Sequence, residues 1–502
     1  MLGRAGRPQF DTSGIARIFT QDSKKAFYKH FLHTGFPVES SLHKVLDNHL
    51  GAEVSAETIT TKQDALDYLT WTFFFRRLHK NPSYYGLEVS AEEHNTITAQ
   101  QMANEYMITM VDNSLEELAE SGCLEITPNG NIDATPLGKI MSYYYLAHRT
   151  IRHLVKHATR TATFADVLSW MSSATEYDEL PVRHNEDLIN AELSKNLPIP
   201  ASAFDNLPMW DPHVKAFLLL QAHMSRIDLP ISDYVGDQTS VLDQAIRIIQ
   251  ASIDVLTEFG YLSSCMQMIT LLQCIKCARW PTDYPLSVLP GVASQTPEVK
   301  HVEVPSSLQI FSKQSEENYR STVSALAIPP AVLPAFHKAA NMIPNLHVGI
   351  QNITTQSVTV ILSRNNPLVH DGKMYAPRFP KSQTEGWFVI LCKEDTDDIL
   401  GIKRVGWGAG STAREKRGTG DQPPGNKQSV KAFIKIPNDD VFEGGQEERK
   451  LDVWVASDGY VGMIYKVKAV EIPNPPSVAA VGNKEKYVVG IGGSLPNRGG
   501  AV

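Results

Sequence analysis

The period of the hydrophobic pattern changes near residue 346, and this change constrains the fold more than any other feature of the chain. Before it, apolar residues mostly recur every three or four positions, which is typical of amphipathic helices. After it, short segments such as WFVILCKE and KLDVWVAS alternate or consist of β-forming residues. The sequence therefore predicts a multidomain α+β protein that ends in an antiparallel β-sandwich of the immunoglobulin or fibronectin type over residues 346–475.

Length and charge narrow the class of protein. A chain of 502 residues exceeds what one core normally holds. The formal net charge of −8 excludes nucleic-acid binding by overall attraction, so any such surface must be a local patch. No apolar run reaches the roughly 18 residues of a membrane span, and five cysteines suit a reducing compartment. We therefore expect no membrane partner and a cytoplasmic location, with a nuclear one left open.

Residues 26–135 combine helical segments with a hairpin signal. The pattern predicts one helix from Thr61 to about residue 80 and another over 99–121. An Asn-Gly pair ending at Gly130 tolerates the positive φ of a tight hairpin turn. Helices followed by a two-stranded hairpin predict a winged-helix domain. It either reads nucleic acid or braces its neighbours, and we favour the brace because the expected recognition face is not markedly basic.

Helical periodicity continues through residues 136–285. One helix is predicted over 137–154, and we expect its three consecutive tyrosines, 143–145, to pack between helices rather than to stack on bases. His153 and His157 lie four residues apart with no acidic residue between them, so we interpret them as surface residues rather than as metal ligands.

A lone C-x-x-C motif, Cys274 and Cys277, falls inside another helical run. Burial in that helix is favoured over zinc binding because no second cysteine pair exists. The other helices predicted in this part span residues 164–174, 185–195, 212–226, 239–260 and 262–278.

The segment 239–260 is apolar around most of its circumference, which predicts a buried helix. Its polar residues Asp243, Arg247, Gln250 and Asp254 nevertheless step by three and four positions and share one narrow stripe. A polar stripe on a buried helix must face partners or water. Two interpretations stay open from the spacing: an internal salt-bridge ladder that starts with Asp243 and Arg247, or a channel wall that contacts a single nucleic-acid strand.

The N-terminal segment MLGRAGRPQFD places Arg4 and Arg7 three residues apart among small residues. Planar guanidinium groups at this spacing suit the charge on a transferring phosphoryl group, and Gly3 and Gly6 allow close approach to a nucleotide. A mobile Gly-Arg-rich tail is the alternative interpretation. The apolar run at 15–20 is expected to form a strand.

Several segments together resemble the Ski-two-like branch of superfamily 2 RNA helicases. GRAGRPQFD is similar to the last signature motif of that family, and most of the remaining chain is similar to the Sec-sixty-three-type unit that follows the motor lobes. The segments that carry this second resemblance are TPLGKIMSYYYLAHRTI, FADVLSWMSSATEYDELPVRHNE, KAFLLLQAHMSRIDLP, DQAIRIIQASIDVLTEFGYL and LSVLPGV.

The resemblance implies a domain order. It makes residues 1–25 the end of a second RecA-like lobe with an arginine-finger motif, 26–135 a winged helix, and 136–285 a helical ratchet domain. It further implies a helix-loop-helix over 286–345, the β-sandwich over 346–475 and a flexible tail over 476–502. In this family the helix equivalent to 239–260 grips the translocating strand, so Arg247, Gln244 and Gln250 become the candidate RNA contacts.

The same resemblance implies the C-terminal cassette of an ATP-dependent RNA helicase that grips single-stranded RNA. Its partners would be upstream motor lobes and proteins docked on the β-sandwich, some of them ribosome-associated, and its role would lie in ribosome-collision quality control. ATP and Mg²⁺ would belong to the intact parent, with Arg4 and Arg7 stabilising the γ-phosphate. The chain has no Walker A loop or acidic Mg²⁺ motif, so we expect neither cofactor nor metal in it and no ATP hydrolysis by it alone.

Two alternative functions stay open. One is a non-enzymatic protein-interaction module, and the other is the C-terminal cassette of a large spliceosomal helicase. The segment 406–428 is predicted to be a disordered insertion. We interpret its basic residues Arg414, Lys416 and Arg417 as a solvated loop rather than an RNA site.

Overall fold

The computed structural model describes residues 6, 9, 11–34, 38–87, 97–204, 207–297, 304–368, 372–407, 429–436 and 449–472. The predictions for Gly3, Arg4 and Arg7 lie outside these residues. So do those for nearly all of the insertion at 406–428 and for the tail at 476–502.

The chain divides into two compact units, which comprise residues 1–46 with 63–112, and residues 47–62 with 113–502. The domain boundaries proposed from the sequence are finer than this division and stay predictions. Along the chain, the first helices are α1 (Asp22–Thr34), α2 (Leu46–Ser55), α3 (Lys62–Thr70), α4 (Phe73–Lys80) and α5 (Ile97–Glu120).

Two predictions for the first unit are wrong. Residues 15–20 form no strand, and Ile15 and Phe19 are exposed; a strand needs a neighbour to bond its backbone, and the described residues offer none there. The single helix predicted from Thr61 is two helices, because the Thr72 side chain accepts a hydrogen bond from the N–H of Phe75 and starts α4 as its N-cap.

Glu39 holds the end of α4 within the first unit. Its carboxylate accepts hydrogen bonds from Arg77 Nε at 3.0 Å, Asn81 at 2.8 Å and the Tyr85 hydroxyl at 3.0 Å. These bonds, that from Arg77 foremost, lower the pKa of Glu39 to about 2. The segment before α2 is thereby tied to the segment after α4.

The second unit contains the predicted hairpin. Strands β1 (Leu124–Ile126) and β2 (Ile132–Ala134) pair antiparallel, and Gly130 in the turn has φ +82°. Cys123, just before β1, presents its carbonyl oxygen to Gly138 of the next helix, where a Cβ would lie only 1.9 Å from that oxygen. A glycine is therefore required at this close approach of two backbones.

A bundle of helices follows the hairpin. Its members are α6 (Pro136–Tyr144), α7 (His148–His157), α8 (Phe164–Ser172), α9 (Glu186–Ser194), α10 (Pro212–Ser225), α11 (Ser232–Glu258) and α12 (Leu262–Cys277). The single helix predicted over 137–154 is wrong, because Tyr145 adopts a left-handed conformation with φ 54° and separates α6 from α7. α11 begins at Ser232 instead of residue 239, and it packs against α6, α7, α8, α10 and α12.

The rest of the second unit changes from helices to sheets. After α13 (Leu308–Ser312), α14 (Glu316–Ala325) and α15 (Leu333–Ala340), the described residues form seven strands in two antiparallel sheets. One has the order β3-β4-β7 and the other β6-β5-β8-β9, with bounds β3 (Leu346–Gln351), β4 (Ser357–Arg364), β5 (Gly386–Lys393), β6 (Ile399–Gly406), β7 (Ser429–Lys435), β8 (Arg449–Ser457) and β9 (Ile464–Ile472).

The alternating pattern of β4 matches a strand with one buried face, as the sequence predicts. Strands numbering three and four in the two sheets also fit an immunoglobulin-like sandwich, which stays a prediction at that level of detail. No helix in the described part of the chain is long and apolar enough to cross a bilayer.

Buried polar contacts join α12 to the end of β8. Lys276 Nζ lies 3.1 Å from Asp458, and Gln273 donates to the carbonyl of Ser457 at 2.6 Å. Lys276 and Asp458 are both buried, and the charges of Lys276 and Arg404 hold the pKa of Asp458 below its usual value despite the opposing effect of burial. The bundle and the four-stranded sheet therefore share an ionic core.

Candidate nucleic-acid interface

The polar stripe of α11 stays accessible although most of the helix is packed. Buried apolar residues such as Leu242, Ala245 and Ile249 line the remaining surface of the helix. Asp243 is exposed, whereas Gln244, Arg247, Gln250 and Asp254 are half-buried. The stripe is therefore not sealed inside packed protein. The channel interpretation requires this accessibility.

Arg247 ties α11 to the end of α6. Its Nε donates to the side-chain oxygen of Gln244 at 2.7 Å, and its Nη1 donates to the carbonyl oxygens of Tyr144, at 3.1 Å, and Tyr145. Carbonyls at a helix C-terminus lack partners within the helix and carry partial negative charge, so an arginine is favoured here. Arg247 thus has a structural role, and no hydrogen bond of its Nη2 is found among the described residues.

The ladder interpretation fails at its first pair. Asp243 pairs with Lys381 at 2.9 Å, in the segment before β5, whereas Arg247 is directed toward the end of α6. The reason is the separation of the two residues in the sequence: the chain returns to α11 beyond residue 372, and helical spacing does not indicate Lys381 as a partner of Asp243. The sequence therefore missed Lys381, and no signal in the local pattern indicates it.

Asp254 completes the stripe two turns beyond Arg247. The hydroxyl of Tyr144 donates to its carboxylate at 2.7 Å. Burial raises the pKa of Asp254 to about 6, the nearby charge of Glu258 adds to this rise, and the hydrogen bond from Tyr144 opposes it. The carboxyl group therefore titrates close to the physiological range.

The three tyrosines at 143–145 do not all lie in the core, contrary to expectation. Tyr144 bridges to Asp254, but Tyr143 is 48% exposed and Tyr145 is 86% exposed. The cause is the left-handed residue Tyr145, which ends α6 so that the last side chain of the triplet points away from the bundle. An exposed aromatic ring consequently follows the carbonyls that Arg247 holds.

Other residues singled out in the sequence have structural environments. Cys274 and Cys277 are buried in α12 as predicted, and burial raises the pKa of Cys277 to about 11. His157 is exposed and its ring stacks near that of His153, which is half-buried rather than on the surface as predicted. Within the described ranges, no cluster of three or more His, Cys, Asp or Glu could hold a metal ion.

A Ser-His-Asp arrangement occurs in the second unit but has no access to substrate. His148 lies 2.7 Å from Ser121 through Nδ1 and 2.7 Å from Asp47 through Nε2. Ser121 and His148 are each 1% exposed, and Arg152 donates to the serine oxygen at 3.0 Å. A nucleophile must reach its substrate, so we interpret this group as a buried brace between α2, α5 and α7.

The predicted nucleotide site lies mostly outside the residues that the structure describes. Gly3, Arg4 and Arg7 lie outside the described residues, and Gly6 has φ +89° next to Gly14. The positive φ explains a glycine at this position but gives no geometry for a phosphate. The arginine finger and the ATP and Mg²⁺ of a larger parent therefore stay predictions.

Two known families match this chain. A Winged Helix-turn-helix domain matches residues 39–128, and the Sec63 Brl domain matches residues 134–470. The RQC trigger complex helicase SLH1 of Saccharomyces cerevisiae is 43% identical over 435 residues, which cover 80% of this chain and 21% of the relative. Activating signal cointegrator 1 complex subunit 3 of Homo sapiens is 38% identical over 468 residues, which cover 81% of this chain and 20% of the relative.

A plant relative extends this comparison. The DExH-box ATP-dependent RNA helicase DExH14 of Arabidopsis thaliana is 37% identical over 411 residues, covering 81% of this chain and 18% of the relative. The chain thus spans about a fifth of the length of these curated relatives. The matched residues include β1, the bundle around α11 and nearly all of both sheets. On this ground the chain belongs to the Sec63 Brl domain family, with a winged helix-turn-helix domain preceding that domain.

Proposed function

We propose that this chain acts as the C-terminal cassette of an ATP-dependent RNA helicase and that α11 grips a single RNA strand. The names of the relatives support the helicase class. The single observation that carries the gripping role is the accessible polar stripe on a helix that is otherwise mostly packed beyond residue 240. A buried helix keeps such a stripe only where polar partners or water meet it.

The stripe offers two kinds of contact to RNA. Arg247, already oriented by Gln244 and the end of α6, would present its remaining N–H groups to a phosphate. Gln250, half-buried one turn further along, would bond a base edge or the ribose. Tyr145 would add a ring face on which a base can stack, a contact that tolerates any sequence.

Gln250 is the position that tests this proposal, because no hydrogen bond of its side chain is found among the described residues. Gln250→Glu keeps the shape but adds a negative charge where phosphates would pass. We expect binding of a fluorescein-labelled oligouridine, measured by anisotropy, to weaken about tenfold, which corresponds to about 1.4 kcal/mol. The matched control is Gln309→Glu, which makes the same charge change on α13.

The contrary result is equally clear. Equal affinities of the two variants and the wild type would remove α11 from the interface. Salt dependence gives a second measure, since each phosphate contact contributes about 0.7 to the slope of the logarithm of affinity against the logarithm of salt concentration. Gln250→Glu should lower that slope and Gln309→Glu should leave it unchanged.

A docking function of the β-region is the second candidate. On the outer side of β7, Phe433 is 50% exposed and stands between Lys431 and Lys435, which are both exposed. An exposed aromatic ring between two cations suits a protein surface with an acidic rim. We propose that protein partners, including ribosome-associated ones, bind here, as the name of the yeast relative suggests for the role in quality control.

The two functions are separable by experiment. Phe433→Ala should reduce capture of ribosomes in a sedimentation assay with purified ribosomes and leave oligouridine affinity unchanged. Loss of RNA binding in that variant, with ribosome binding retained, would contradict the division. ATP, Mg²⁺, Arg4 and Arg7 would act only together with motor lobes, and the cytoplasm, with the nucleus still open, is the location that this role implies.

A further inference from the structure

Three arginines converge where α10 and α12 end, at a distance along the chain from the stripe of α11. Arg226 follows α10 and donates from Nε to the carbonyl of Ala278 at 2.8 Å and from Nη2 to that of Cys277 at 3.1 Å. The guanidinium of Arg226 therefore lies beside Arg279, the residue that follows Ala278. Arg279 in turn donates twice to the carbonyl of Ser287, at 3.0 and 2.7 Å.

The third arginine comes from the segment before β5. Phe379 is buried, and its ring meets that of His223 of α10 with centroids 6.4 Å apart. This contact holds the preceding residue, Arg378, at the end of α10, where it is exposed. The positive charges of Arg226 and Arg378 both lie near enough to His223 to act on it.

The cluster carries more positive charge than its surroundings neutralise. Asp283 is the acidic group that acts on Arg226 and Arg279, but among the described residues none of the three arginines forms an ion pair. The C-terminal ends of α10 and α12 supply about half a negative charge each. Burial, followed by the charges of Arg279 and Arg378, lowers the pKa of Arg226 to about 10, the direction expected of cations held together.

From this convergence we propose that Arg226, Arg279 and Arg378 form a binding site for a phosphate group. Carbonyl hydrogen bonds fix the two half-buried guanidinium groups, while Arg378 stands at the surface and completes the site from a different segment. Planar guanidinium groups brought together from three segments suit the several oxygens of a tetrahedral oxyanion, which accepts paired hydrogen bonds. The phosphate can belong to a small polyphosphate or to an RNA backbone, and the test separates these sources.

The test uses the full chain and inorganic pyrophosphate as the probe. Binding is measured by titration calorimetry and by the rise in melting temperature at constant ionic strength. Arg378→Ala removes a side chain for which no hydrogen bond is found among the described residues, so folding should be preserved. We expect it to weaken pyrophosphate binding about tenfold, and we expect Arg378→Lys to recover part of that loss.

Arg320→Ala is the matched control, because Arg320 is an exposed arginine of α14 whose ion pair is with Glu316. It should leave pyrophosphate affinity unchanged. Absence of pyrophosphate binding to the wild type, or equal affinities of wild type and Arg378→Ala, would overturn the proposal.

Oligouridine then identifies the source of the phosphate. Competition between oligouridine and pyrophosphate, lost in Arg378→Ala, supports an RNA backbone. Pyrophosphate binding without such competition supports a small polyphosphate. Because Gln250→Glu tests α11 with a different readout, failure of the arginine site and failure of RNA gripping are distinguishable.

Discussion

Replacement of Asp254 by asparagine should stabilise the protein at neutral and alkaline pH. The side-chain amide of the variant Asp254→Asn would still accept the hydrogen bond that Tyr144 donates at 2.7 Å, but it would carry no charge to be buried. In the wild type, burial raises the pKa of Asp254 from 3.8 to about 6. The folded protein therefore holds this proton more tightly than the unfolded chain does.

The sign and size of the effect follow from that shift. Between pH 3.8 and about 6 the folded state binds more protons, so the free energy of unfolding falls as pH rises through this window and then stays at the lower level. A shift of about two units corresponds to about 3 kcal/mol. Asp254→Asn should therefore gain up to about 3 kcal/mol at pH 8 over the wild type, and almost nothing near pH 4.

Urea unfolding followed by circular dichroism at several pH values measures this difference. Asp243→Asn is the matched control, because Asp243 is an exposed residue of the same helix whose partner, Lys381, is 69% exposed; its removal should change stability by less than about 1 kcal/mol. If Asp254→Asn unfolds with the same pH dependence as the wild type, burial does not raise the pKa of this carboxyl group in the folded protein.

Three further perturbations test other parts of the fold by thermal and urea unfolding. The pKa of Glu39 is lowered from 4.5 to about 2 in the folded protein, which adds stability above pH 4.5 that is lost as pH falls toward 2. Glu39→Gln should therefore have a lower melting temperature at pH 7, and its stability should depend less on acid pH. An unchanged acid transition would contradict this. Lys215→Met leaves the buried carboxylates of Glu186 and Asp237 paired with Arg183 alone among the described residues and should cost about 3 kcal/mol. Lys195→Met, at a side chain that is 69% exposed, should change little. Gly138→Ala places a Cβ against a carbonyl oxygen and should lower the free energy of unfolding by about 1–3 kcal/mol or more. Gly236→Ala, in open space on α11, should raise it by about 0.5–1 kcal/mol. The opposite order would refute the packing described.

Local patterns predicted most of the helices and strands, but they did not predict where helices break, and they wrongly predicted a strand at 15–20. The 3.6-residue period locates most of the apolar face of 137–154, yet it runs unbroken through Tyr145, which has a left-handed backbone and is 86% exposed. Thr72 was missed for a different reason. Its capping role follows from a side-chain bond to Phe75, and the apolar period is the same on either side of it.

Contacts between segments that are distant in the sequence could not be predicted from local patterns. Lys381 reaches Asp243 across 138 positions, and Tyr144 reaches Asp254 across 110. Helical spacing indicated only Arg247 as a partner for Asp243, because it registers neighbours three and four residues away. The stripe itself was found from the sequence, since it depends on the helix alone, but the role of each member depends on the fold.

Structural and proposed functional roles overlap within this stripe, and the overlap decides which experiment is informative. Arg247 and Asp254 lie two turns apart on α11 and both hold Tyr144, one through its carbonyl and the other through its hydroxyl. Replacing Arg247 would therefore loosen the end of α6 and displace Tyr145. These structural effects would be mixed with the loss of any direct contact between Arg247 and RNA. Gln250 lies between them, with no hydrogen bond found for its side chain among the described residues. A loss of RNA affinity in Gln250→Glu with an unchanged melting temperature would therefore indicate a contact of α11 with the RNA strand, because Arg247 and Asp254 still hold Tyr144 in that variant.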